Sequence, residues 1–554
     1  MRRLLISATA MTVAALLLAP SALAVDDINT KRLRNGVTAS GILNHMRAFQ
    51  RAANANDGNR AANTTGYDAS LAYVERRMKR AGYETERVRF DFADFTLNSS
   101  ALQLGAKVYT AGETEGGDYV VAEFSGGGNV TGPIVPIDYT GPPPEAGAST
   151  SGCEAEDFPA NPAPNSIALV QRGTCVFVDK IRLAAEAGYA AVLIANDGFE
   201  DRTEPFQIGA NPFTLIPAAM TSSTVGLELL AATGQTLTFA VDATTEPAVQ
   251  YNLIADTPTG NPERTTVVGA HLDSVEAGPG INDNGSGSGT LIEMAEEIAE
   301  LPRNPRNRIR FAWWGAEEAG LVGSSAYVAD LVKSGEIDDI EANLNFDMLA
   351  SPNFVRFVYD GDNSTGEGDE GPPGSAEIEQ VFLDYFDSVG LETEPTAFDG
   401  RSDYGPFIAP EAYVAAGGLF SGAEGVKDEE EEAIYGGAAG SWYDPCYHQF
   451  CDTFSSVVYQ PPFVPDDPDA SAEGLEAGSE AADAAQMRGN GPIGLGQLAD
   501  GAADATWTLA RSRSPLVGPA EARVARTARA RSSYRTAARR AAKQHMYKGG
   551  QVIR

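Results

Sequence analysis

The stretch Val267-Val268-Gly269-Ala270-His271-Leu272-Asp273, with Gly280-Ile281-Asn282-Asp283-Asn284-Gly285-Ser286-Gly287 a few residues on, decides the fold. Apolar and small residues make a buried strand, and a histidine and an aspartate stand at its carboxyl end. Glycines then lead into a helix expected over Thr290–Ala299. The same rhythm continues downstream. A strand Ile309–Trp314 ends in Gly315-Ala316-Glu317-Glu318, a helix is expected over Gly323–Val332, and a third strand, Asn343–Phe346, ends in Asp347. Strands alternating with helices mark βαβ units, so the chain reads as α/β, with a mainly parallel central sheet flanked by helices. In open sheets of this kind ligands collect outside the carboxyl ends of strands, where these polar residues fall.

Imidazoles and carboxylates converging from separate strand ends are the donors of a hydrolytic metal site. One residue separates His271 from Asp273, which lets the aspartate fold back and orient the imidazole. Asp283 can offer one oxygen to each of two metals. Of the adjacent pair Glu317 and Glu318, one need face a metal and the other is free to act as a base on the attacking water. Asp347 adds a terminal carboxylate, and Cys446-Tyr447-His448-Gln449-Phe450-Cys451 supplies a second imidazole. The chain has 4 histidines; two belong to this set, while His45 and His545 lack such surroundings and read as surface residues.

Outward from this centre, Met1-Arg2-Arg3, an apolar run from Leu4 to Pro20 and Ser21-Ala22-Leu23-Ala24 form an export signal over residues 1–24. The mature chain is expected to start near Val25 and to be extracellular, with no later stretch long enough to span a membrane. Ile42, Leu43, Met46 and Phe49, then Leu71, Val74 and Met78, recur at helical spacing, and Gly82 stops the second helix. Short β-type runs follow from Val88 to Phe124. A closing helix is expected over Leu498–Leu509, and Asp428–Glu432 and Pro461–Asp469 read as solvated loops. Cys153, Cys175, Cys446 and Cys451 fall as two close pairs in an exported chain, so disulfides Cys153–Cys175 and Cys446–Cys451 are expected.

The net charge of −35 is unevenly spread: residues 511–554 hold 12 Lys/Arg against Glu521, near +11, and the remainder is near −46. So acidic a body repels nucleic acid. The basic Ala/Arg-rich tail reads as a disordered or processed extension, with a charge suited to tethering the protein to an anionic cell surface.

The strand Ile167–Gln171, the turn Arg172-Gly173-Thr174-Cys175, and the helix and strand around Ala187-Gly188-Tyr189-Ala190-Ala191-Val192 resemble the protease-associated domain over about residues 120–245. The polar residues at the strand ends, in order and context, resemble the secreted di-zinc leucyl aminopeptidase family. That family lies in the metallopeptidase group that includes glutamate carboxypeptidase and the transferrin receptor. This likeness covers about residues 25–119 and 250–510, so the protease-associated segment interrupts one peptidase domain of zinc-exopeptidase fold.

The resemblance implies two zinc ions on His271, Asp283, Glu318, Asp347 and His448, with Asp283 bridging, Glu317 as general base and Tyr447 as the oxyanion's hydroxyl donor. Gly400-Arg401-Ser402-Asp403-Tyr404 and Gly418-Leu419-Phe420 resemble its substrate loop, with Arg401 helping to position the free N-terminus and Phe420 lining the first side-chain pocket. Asp403 is assigned a supporting role behind these. The implied substrates are peptide N-termini bearing large apolar residues, and calcium is admitted by the resemblance without a site marked in the sequence. A carboxypeptidase or dipeptidase of the same group, and a non-catalytic receptor, are the competing readings. The complete ligand set and Glu317 weigh against the receptor. Oligomeric state is not legible.

Overall fold

The computed structural model describes residues 28–112, 117–159, 162–199, 202–210, 216–368, 370–458 and 490–518. Among these, 14 strands hydrogen-bond into one sheet. At its centre Asn261–His271, Asn307–Trp314, Ile340–Phe346 and Ala416–Phe420 run parallel, with Trp314 opposite His271 and Asn345 opposite both Gly269 and Gly418. That shared direction brings His271, Asp347 and the Glu317–Glu318 pair to one edge. Phe357–Tyr359 and Glu394–Thr396 extend the sheet beyond Ala416–Phe420.

Both faces of this sheet are covered, as a parallel sheet requires. On one face lie helices Ala39–Asn54, Thr65–Ala81, Gly285–Ala299, Ser375–Val389 and Gly491–Arg511. They bury Met46, Phe49, Leu71, Met78, Leu291, Phe382 and Leu498 against Val268, Phe311 and Leu344. Each such side chain contributes about 1.5–3 kcal/mol of transfer free energy. On the other face Val267, Ala312 and Trp314 pack with Tyr327, Val328 and Leu331 of helix Val322–Ser334 and with Phe407.

A second group of parallel strands, Gly128–Pro136, Ile167–Gln171, Ala191–Ala195 and Ala218–Thr221, has its own core on each face. Glu84–Leu104 and Thr236–Asp256, 21 residues each, pair antiparallel from Glu84↔Asp256 to Leu104↔Leu237 and join the two halves. The short β-type runs expected near Val88 are therefore part of one long ribbon. Leu102 and Tyr109 pack in the second core, so the residues just before 120 side with it structurally.

Several local expectations change. The helix expected from Thr290 starts at Gly285, because the Asn284 side chain accepts from Gly287 N–H and burial outweighs the poor helix propensity of the Gly/Ser run. Asp428–Glu432 is not a loop: Asp428 and Glu431 form a capping box, Glu429–Tyr435 is helical, and Tyr435 is buried. His45 is not a surface residue. Its ring is buried, with Nδ1 2.8 Å from the Tyr73 hydroxyl and Nε2 3.3 Å from Glu293. The expected leader over residues 1–24, the stretch Pro461–Asp469, His545 and the tail beyond Gly518 lie outside the described residues. Among the described residues no helix is long and apolar enough to cross a membrane.

Candidate metal centre

His271 closes its strand and is 1% exposed, and the loop before helix Gly285–Ala299 carries Asp283 to it. His271 Nε2 lies 3.0 Å from Asp283 Oδ1 and 3.2 Å from Asp347 Oδ1. His448 Nε2 lies 3.3 Å from Asp283 Oδ2 and 3.2 Å from Glu318 Oε2. The five residues thus meet in two sets that share Asp283, one oxygen to each. Glu317 Oε2 stands 4.0 Å from His271 Nε2.

The residues fit divalent metal. Four tetrahedral bonds of zinc length place donor atoms about 3.3 Å apart, close to the separations within each set. Glu318 Oε1 and Asp347 Oδ1 are buried without a hydrogen bond, as donors reserved for another partner would be. Asp283, Glu317, Glu318 and Asp347 also concentrate negative charge that two imidazoles do not balance. Burial alone would lower His271 and His448, yet the surrounding carboxylates raise both well above the ordinary imidazole value. Burial, opposed by His271 and reinforced by Asp403 and Glu318, raises the Glu317 carboxyl well above its ordinary range. A buried cluster of this kind calls for cations.

The supporting contacts differ in part from the expectation. Asp273 Oδ1 is 3.8 Å from His271 Nδ1, too far to hold the imidazole; the backbone carbonyl of Asp273, at 3.2 Å, faces that nitrogen. The Asp273 carboxylate instead accepts the backbone N–H groups of Glu317 and Glu318, each at 3.2 Å, because two adjacent amides satisfy both of its buried oxygens. Cys446–Cys451 is formed and closes the loop that carries Tyr447 and His448; Cys153–Cys175 is formed in the second half. The Tyr447 ring stacks on His448 at 3.8 Å between centroids. Burial lifts its phenol well above the ordinary value, so the hydroxyl keeps its proton. Arg401 Nη2 donates to Tyr447 Oη at 3.3 Å and Nη1 to Glu424 Oε1 at 2.6 Å. Phe420 ends the strand beside the one that delivers Asp347, and its ring stacks on Phe357 at 5.9 Å. Asp403 is fully buried, with neither carboxylate oxygen hydrogen-bonded by geometry, and burial pushes it up to about 8.

Several residues that hold the site were not singled out from sequence. Asp452 accepts from Asn282 N at 2.8 Å and Asp283 N at 3.0 Å, and Asp444 accepts from Asn282 Nδ2 at 2.6 Å. The place of Asp452 directly after Cys451 was the one available hint. Arg60 is fully buried over 200 residues upstream, donating to the carbonyls of Leu272, Pro279 and Gly280. Ser402 donates to Asp347 Oδ2 and receives a 2.8 Å bond from Asn345. Gly287 must lack a side chain, since a Cβ there would strike the Phe346 carbonyl.

Residues 252–460 match Peptidase family M28, and residues 130–229 match the PA domain. An aminopeptidase of Pseudomonas aeruginosa is 44% identical over 426 residues, covering 76% of this chain and 77% of that protein. Leucine aminopeptidase 2 of Trichophyton rubrum is 42% identical over 313 residues, covering 56% of this chain and 61% of that protein. The solved structure of an aminopeptidase from Aneurinibacillus sp. strain AM-1 has a TM-score of 0.63 at 21% identity, covering 89% of this chain and 98% of that one, and shows the same fold. With this extent of identity along most of its length, the chain belongs to peptidase family M28 and is a peptide-hydrolysing enzyme that also carries a PA domain.

Proposed function

We propose that the protein is a secreted aminopeptidase that removes N-terminal residues, leucine-like ones by preference, at a centre holding two zinc ions. The observation that carries this reading is Asp283, whose oxygens lie 3.0 Å from His271 Nε2 and 3.3 Å from His448 Nε2. One ion would sit with His271, Asp347 and Asp283, the other with His448, Glu318 and Asp283. Mixed imidazole and carboxylate donors suit zinc, which when bound supplies Lewis acidity to the attacking water and the scissile carbonyl.

The remaining work falls to side chains. Glu317, fixed through its backbone by Asp273, takes a proton from the attacking water and returns it to the departing amine. Tyr447 donates its hydroxyl to the carbonyl oxygen as negative charge develops there. Arg401 borders the entrance and helps position the peptide's end, and Phe420 lines the pocket for its first side chain.

Cleavage at the amino end is supported by the Pseudomonas relative named an aminopeptidase, and the apolar preference by the Trichophyton relative named a leucine aminopeptidase. Export is supported by the two disulfides. We take residues 120–245 as the protease-associated insert and 25–119 with 250–510 as the peptidase; both family matches fall within this partition, while Leu102 and Tyr109 pack into the core of the insert. Hydrolysis of leucine p-nitroanilide and its N-acetylated form, by the wild type and Glu317→Ala with metal content measured, tests the reading. Cleavage of the free amine alone, lost in the variant while about two zincs remain, is expected. Equal cleavage of the blocked substrate would overturn it.

A further inference from the structure

We propose that Glu424 is a positioning residue of the hydrolytic reaction, holding Arg401 so that its second guanidinium nitrogen stays on the Tyr447 hydroxyl oxygen. This rests on the reading of Tyr447 as the oxyanion's donor. Arg401 Nη1 donates to Glu424 at 2.6 Å, Nη2 donates to Tyr447 Oη at 3.3 Å, and the Tyr447 ring stacks on His448. A line of contacts therefore runs from the Glu424 carboxylate to a metal-facing imidazole across two loops. Glu424 is 42% and Arg401 36% exposed along their side chains, so this line lies at the rim of the site.

Three physical consequences follow. A partly exposed arginine samples many rotamers, whereas one bonded to a carboxylate at one nitrogen and a phenol at the other is confined. The Arg401 N–H occupies a lone pair of Tyr447 Oη, which leaves the phenol's single proton to donate elsewhere and strengthens it as a donor. The carboxylate also offsets the guanidinium charge, so the entrance does not repel a protonated peptide terminus. Burial alone would raise the Glu424 carboxyl, yet the Arg401 bond holds it below its ordinary range.

The test is a mutant cycle on leucine p-nitroanilide with Glu424→Ala, Glu424→Gln, Arg401→Ala, Tyr447→Phe and the doubles carrying Glu424→Ala, with melting temperature and zinc content measured for each. Glu424→Ala is expected to lower kcat about tenfold with KM little changed. Glu424→Gln, which keeps an acceptor for Arg401, should restore most of that loss. In the Arg401→Ala or Tyr447→Phe background Glu424→Ala should cost no more than about twofold. A full Glu424→Ala effect in either background would overturn the proposal, and so would a raised KM at unchanged kcat, which would mean that Glu424 acts on substrate binding, directly or through Arg401, and not through Tyr447. Wild-type kcat in Tyr447→Phe would remove the Tyr447 assignment itself, and this proposal with it. A Tyr447→Phe loss combined with a surviving Glu424→Ala effect removes the proposal alone.

Discussion

The backbone N–H of Asp283 donates to Asp452 Oδ2 at 3.0 Å, so the residue next to Cys451 holds the residue whose two oxygens face both imidazoles. The other Asp452 oxygen takes Asn282 N at 2.8 Å, and the loop with His448 and the loop with Asp283 are thereby fixed to each other. Removing that clamp leaves two buried amides without acceptors. Asp452→Ala is expected to weaken zinc retention and lower kcat/KM by about ten- to a hundredfold, as changes behind metal ligands commonly do. Zinc titration alongside kinetics checks this; unchanged retention would contradict the clamp.

The two disulfides are expected to behave differently. Cys446–Cys451 encloses Tyr447 and His448, so replacing both cysteines by serine should lower kcat/KM and zinc retention as well as the melting temperature. Cys153–Cys175 closes a loop in the other half, and the hydrogen bonds of Cys153 go to Thr150, Asp157, Thr174 and Lys180, none of them assigned to the site. Its double serine variant should lose stability, about 2–4 kcal/mol, with kcat/KM within about twofold of wild type. Equal kinetic losses in the two variants would contradict this division.

Arg60 is buried, donates to three backbone carbonyls around the Asp273 and Asp283 loops, and lies over the Phe49 ring at 5.2 Å. Burial pushes its guanidinium down to about 10, with Asp273 and Asp452 pulling it back up, so it remains charged near neutral pH. Arg60→Met would strand those carbonyls and remove a cation from an acidic interior. An unfolding free energy lower by about 3–5 kcal/mol in urea titration is expected. A loss below about 1 kcal/mol would mean that the loops are held by other contacts.

Lys427 is buried and donates to the carbonyls of Phe354 and Gly436; burial pushes its amine down to about 8, against the pull of Glu431 and Glu432. Its folded value lies below that of an unfolded lysine, near 10.4. The unfolded chain therefore binds more protons across that interval. The cost of burying the charge is present in full below about pH 8 and is relieved as pH rises toward 10.4. Relative to Lys427→Met, the wild type should gain stability over that interval. Parallel stability profiles for the two proteins would contradict it.

Legibility from sequence followed the range of the interactions. The strand–helix alternation after residue 260 and the helices ending at Gly82 were readable because burial leaves a local period. The meeting of His271, Asp347 and the Glu317–Glu318 pair was readable because each stands at or just past the end of a parallel strand, and the close spacing of the cysteines anticipated both pairs. The ribbon Glu84–Leu104 was not, because its partner lies over 130 residues away and polar residues interrupt its apolar pattern. Helix Glu429–Tyr435 was missed because a capping box outweighed the look of an acidic run. His45 was placed outside because the partners that bury it, Tyr73 and Glu293, come from two other helices.

By itself the sequence determined an α/β chain with a polar edge at the ends of parallel strands, since hydrophobic period and glycine placement act over a few residues. Only the tertiary structure decided that Asp283 turns Oδ1 to His271 and Oδ2 to His448, the sharing itself having been expected from the sequence. It also decided that Asp273 serves the Glu317–Glu318 backbone, and that Arg60 and Asp452 hold the loops of the site. Those outcomes depend on hydrogen bonds and buried charge between segments distant in sequence, and neither has a local period to read.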